Sequence, residues 1–74
     1  NKYHDQRTVA STVLAIKRET PETQVAAIAE MRRLLYYEKR DLESIRNYAP
    51  PEDIERREQI CFFYEDVLNE FSTN

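Results

Sequence analysis

One histidine, one cysteine and a scatter of carboxylates make up the reactive inventory of this 74-residue chain. Their positions restrict the chemistry open to it. His4 stands near the amino terminus, ahead of every long helical pattern, so a hydrolytic triad would have to recruit it from there and none is assigned. One His and one Cys are too few for a zinc site built from this chain alone, and no Glu-x-x-His pair exists for a bundle metal site. The carboxylates of Glu65 and Asp66 are adjacent and point about 100° apart on a helix, so they do not converge. A chain without glycine cannot form the phosphate-cradling loop or the dinucleotide fingerprint. Cys61 lies in the apolar run ICFFY with no basic cluster to stabilise a thiolate, and it reads as a small core side chain. No catalytic, cofactor-binding or metal-ligating residue is assigned, and the expectation is a protein that is not an enzyme.

What remains is chemistry of recognition. In MRRLLYYEKRDLESIRNYAPP, residues 31–51, basic and tyrosine side chains are interleaved with apolar ones at helical spacing. With Leu35 taken as the inward direction, Arg33, Tyr37, Arg40, Ser44 and Tyr48 project to the opposite side. Tyr and Arg are enriched in binding hot spots and also stack on bases, although such a row is equally what a solvated helix face looks like. Phe62 is the second anomaly: it falls about 160° from Tyr64, among Glu55, Glu58, Asp66 and Asn69. A lone aromatic there calls for a cover, from the amino-terminal helix or a chain end, or from a partner or second copy. The partner-binding candidates are Phe62, Arg33, Tyr37, Arg40 and Tyr48.

These residues need rigid elements beneath them, and the pattern specifies helices. The absence of glycine removes the left-handed turn positions that β-rich folds use. Thr20-Pro21 is a helix start, because proline holds the preceding residue in the extended state of an N-cap and itself suits the first helical position. Ile28, Met31, Leu35, Leu42, Ile45 and Ala49 then follow steps of three and four, with Glu38 in the seam, and Lys39, Arg56 or Arg57 are its candidate partners. That predicts a helix over 21–48, stopped by Pro50-Pro51. A further helix over 51–71 carries Ile60, Cys61, Tyr64, Val67, Leu68 and Phe71 on one stripe, with Phe63 at its edge. The segment 5–18 has Val9, Val13 and Ile16 at helical spacing; RTVASTV also suits a strand, but nothing else in the chain would pair with one. The predicted fold is all-α: an antiparallel α-hairpin of two long helices with a shorter N-terminal helix, a small three-helix bundle in a single domain.

Charge supports the hairpin. Residues 1–20, 21–30, 31–50 and 51–74 carry net +2, −2, +2 and −5, which make up the total of −3. Antiparallel pairing sets the basic second half of the middle helix against the acidic start of the last. The same balance disfavours nucleic acid as the main partner, since dedicated binders present a large positive face. No apolar run is long enough to span a membrane, and the single cysteine fits a reducing, cytoplasmic setting. The chain opens on Asn1 rather than Met, so a segment of a longer protein is expected. Because a domain this small buries only roughly 60% of its unfolded surface, the functional expectation is a helical protein-protein interaction or oligomerisation module. Homodimerisation is one form of it. The alternatives are nucleic-acid binding through Arg32, Arg33, Tyr36, Tyr37 and Arg40, or a structural segment of a larger cytosolic or membrane-associated protein.

Overall fold

A computed structural model describes residues 6–72; His4 and the expected helix start at Asp5 lie outside them. The chain forms α1 (Gln6–Lys17), α2 (Pro21–Ile45) and α3 (Pro51–Phe71), with no strand among the described residues. In α1 the β-branched residues that also suit a strand are held helical by burial: Val9, Val13 and Ile16 form one stripe at steps of four and three, all at most 9% exposed.

Each helix end has a local cause. Thr20 caps α2 in an extended conformation (φ −66°, ψ 160°), its Oγ1 accepting the Thr23 amide at 3.3 Å. Without glycine, α1 ends on a side chain: the Gln24 Nε2 donates to the carbonyls of Lys17 (3.3 Å) and Glu19 (3.0 Å), satisfying an acceptor left open at the helix terminus. At the other turn, Pro50 is extended (φ −60°, ψ 150°) and Pro51 starts α3, with Glu52 and Asp53 at the positive end of its dipole.

α2 ends earlier than its apolar spacing predicts. Regular helix stops at Ile45 and residues 46–48 form a turn, in which the amides of Tyr48 (3.1 Å) and Ala49 (2.9 Å) both donate to the Ile45 carbonyl. The proline pair forces this, since the residue before a proline leaves the α region and the last turn tightens to prepare for it. The boundary expected at 48 is therefore corrected to 45, and Tyr48 lies in the turn that follows α2.

α2 and α3 are antiparallel. Lys39 pairs with Glu65 (3.0 Å) and, further along α2's direction, Arg46 pairs with Glu58 (3.6 Å), so residue numbers rise on one side as they fall on the other; Arg57 adds ion pairs to Glu38 (3.3 Å) and Asp41 (3.5 Å). Glu38 in the seam finds Arg57, one of its three expected partners. α1 lies across the pair, where Val9, Val13 and Ile16 pack around Val67, with Ala27, Met31, Phe63 and Phe71 at the margin. The body measures 42 × 24 × 20 Å with a radius of gyration of 13.6 Å, against roughly 11 Å for a compact chain of this length. The core is correspondingly thin.

Among the described residues Val67 is the one large side chain with no exposed surface, and Val67→Ala is expected to destabilise the fold by about 2 to 3 kcal/mol. Leu14→Ala, at a half-exposed position on α1, should change stability by less than about 0.5 kcal/mol. Urea unfolding of both variants measures the contrast, and equal effects would mean that α1 does not dock on Val67.

Candidate functional site

Unequal helix lengths decide which surfaces stay open. At 1.5 Å per residue α1 is about 18 Å long, whereas α3 is about 31 Å and α2 about 37 Å. α1 covers α3 around Phe63, Val67 and Phe71, and its Thr8 joins Ile60, Phe63 and Tyr64 in lining a groove of about 440 Å³. Ile60, expected in the buried stripe, is instead exposed at 38%, outside the cluster that α1 packs on. The groove adjoins a second one of about 670 Å³ at the hairpin turn, where Tyr48, Ala49 and Pro50 meet Arg56, Arg57 and Ile60.

The tyrosine and arginine residues of α2 form a different surface. Tyr36 and Tyr37 pack edge to face with ring centroids 5.3 Å apart, and the Arg40 guanidinium lies 5.9 Å from the Tyr37 ring centre. One turn earlier, Arg33 donates to the Glu30 carboxylate, whose hydrogen bond and charge hold the guanidinium still more firmly protonated than usual. The fold thus gathers Arg33, Tyr37 and Arg40 on one exposed side of α2. Tyr48, 75% exposed, belongs to the hairpin turn instead.

Phe62 sits on neither of these surfaces. It is 45% exposed beside Leu42 and Cys61, in a shallow groove of about 350 Å³ whose rim includes the ion-paired Lys39, Glu65, Arg46 and Glu58. Its surroundings come from α2 and α3; α1, the expected cover, packs on the Val67 side. Sequence reasoning missed the exposure of Ile60 and the role of Gln24. The first was signalled by the short interval between the termini of the α1 pattern, the second only by a glutamine seven residues past a helix end that has no glycine.

Among the described residues no three His, Cys, Asp or Glu side chains converge to hold a metal ion. Nor is any described helix long and apolar enough to cross a membrane. The surfaces offer flat aromatic and guanidinium groups and open apolar grooves, which are means of docking. No known protein family, characterised protein or solved structure matches the chain at a significant level.

Cys61 is the most reactive group in the described fold, and its setting suppresses that reactivity. Burial pushes its thiol pKa up first, and the negative charges of Glu38 and Glu65 push it further. Alkylation of the native protein at mildly alkaline pH should therefore be slow, and unfolding in urea should accelerate it many-fold. The folded state keeps a proton that the unfolded chain releases, so stability should fall as pH rises through and beyond the ordinary thiol range near about 8.5. A Cys61→Ala variant should lack that share of the decline. A native thiol that reacts as fast as the unfolded one would contradict this assignment.

Proposed function

We propose that this chain is a non-catalytic helical module for protein-protein interaction or oligomerisation. One observation carries the reading: a three-helix body with a thin core leaves Tyr36, Tyr37, Ile60 and Phe62 at 38% to 60% exposure, on surfaces bordered by charge. Exposed aromatics bordered by Arg and Glu resemble the anchor-and-rim composition of docking surfaces more than that of an idle exterior. A lone buried thiol and no other cysteine suit a reducing, cytoplasmic setting. The same surfaces would serve a structural segment of a larger protein, with the rest of that protein as the partner.

Nucleic-acid binding is the weaker reading. Arg40 over Tyr37 is a suitable stacking platform, but Glu30 already neutralises Arg33 and the chain carries net −3. If it held, binding of a single-stranded oligonucleotide would weaken steeply with salt and vanish on combined Arg33→Ala and Arg40→Ala substitution.

Association stabilises the folded state by mass action, so the melting temperature of a self-associating module rises with protein concentration. Thermal unfolding followed by circular dichroism from low micromolar to near-millimolar protein, with sedimentation equilibrium on the same samples, is expected to show that rise together with a mass above 8.9 kDa. A monomer with a constant melting temperature would remove the oligomerisation form of the reading.

A further inference from the structure

We propose that the partner is a second copy of this chain, docked antiparallel along the outward face of α2 with the two-fold axis at the level of Met31. This rests on the interaction reading above and names the occupant of one of its surfaces. Met31 packs toward the α1 core, and Ala29 and Arg33 on either side each point about 160° away from it. Centred on that outward direction, Glu22, Ala26, Ala29, Arg33, Tyr36 and Arg40 recur at steps of four, three, four, three and four, and all six are exposed. That is the period of a helix-helix seam. It occurs on the side of α2 that faces neither α1 nor α3.

The composition of the seam selects its partner. Small side chains occupy its first half and large ones its second, so a parallel copy would set arginine on arginine and tyrosine on tyrosine. In the antiparallel register Ala26 faces Tyr36 of the second copy and Ala29 faces its Arg33, with each large side chain lying over a small one. The outer layer places Glu22 opposite Arg40. Charge follows the same direction: the first ten residues of α2 carry two carboxylates and no cation, and the next ten carry four cations and one carboxylate. Turning one helix end for end over the other therefore brings opposite charge together along its length. Near the axis, where the two Arg33 side chains approach, each already carries its own Glu30 carboxylate.

The test is a charge-swap cycle on the full chain, read by sedimentation equilibrium. Glu22→Arg and Arg40→Glu are both at exposed positions, and unchanged helical circular dichroism confirms that each variant folds. Either single swap places like charges together at both ends of the seam and should raise the dimer dissociation constant on the order of tenfold or more. The double swap restores opposite pairing and should return the constant to within about threefold of the starting value. Dimers that ignore both single swaps would overturn the α2 seam while leaving self-association standing. A strictly monomeric parent protein would overturn the seam and the oligomerisation reading together. A monomer whose α2 face binds single-stranded RNA, with binding lost in Arg40→Glu, would assign this surface to nucleic acid instead.

Discussion

The packing of Val9, Val13 and Ile16 around Val67 is the contact on which the rest of the molecule depends. A two-helix hairpin has one shared seam, and in this chain the seam is short of large buried side chains: Leu42 is the only buried residue of α2. α1 supplies the third side that removes Val67 from water and brings Ala27, Met31, Phe63 and Phe71 into one cluster. Burying the β-branched stripe of α1 contributes about 1.5 to 3 kcal/mol for each fully covered side chain, enough to outweigh the modest helix propensity of those residues. The helix and its docking are thus one event, since a 12-residue segment of this composition is marginal as an isolated helix.

Electrostatics performs a different task. The ion pairs between α2 and α3 are partly exposed, and pairs of that kind each contribute about 0 to 1 kcal/mol. Their value lies in register. Arg57 is a cation of the acidic α3 held between Glu38 and Asp41, whereas Lys39 of α2 and Arg46 just after it are cations held by Glu65 and Glu58 of α3. Sliding one helix by a turn would misalign both sets at once. Apolar burial sets how much the hairpin is worth, and the alternating pairs set which alignment it takes.

The class of fold and the two turns are legible in the residues because proline acts locally. Thr20-Pro21 and Pro50-Pro51 impose their backbone states whatever surrounds them, and the structure has a helix start at Pro21 and another at Pro51. Glu38 was likewise readable, since a carboxylate in an apolar seam requires a cation within reach and Arg57 is in place. The outer row of Arg33, Tyr37 and Arg40 follows from periodicity alone. Less legible was whatever depends on how far a neighbour extends. Ile60 has the right angle for the core and still lies open, because coverage is set by where α1 packs and not by any property of Ile60. Tyr48 has the right spacing for the outer row but lies in the turn after α2, where it lines the hairpin groove, because regular helix ends several residues before the proline pair.

Length mismatch also explains why the exposed surfaces differ in kind. Beside the first turn of α1 the opening is a shallow groove where Thr8 and Glu38 face Ile60, Phe63 and Tyr64 of α3. The outer side of α2 is a continuous helical face from Pro21 to Ile45, on the side that neither α1 nor α3 occupies. A groove accepts an inserted side chain or short segment, whereas a straight helical face accepts another helix. α2 is the longest element and the one whose charge changes sign along its length, so a rod-like partner with the opposite polarity can engage the whole of it. An end-for-end copy of α2 has that polarity by construction, which is why the distribution of charge along one helix can specify the orientation of an assembly.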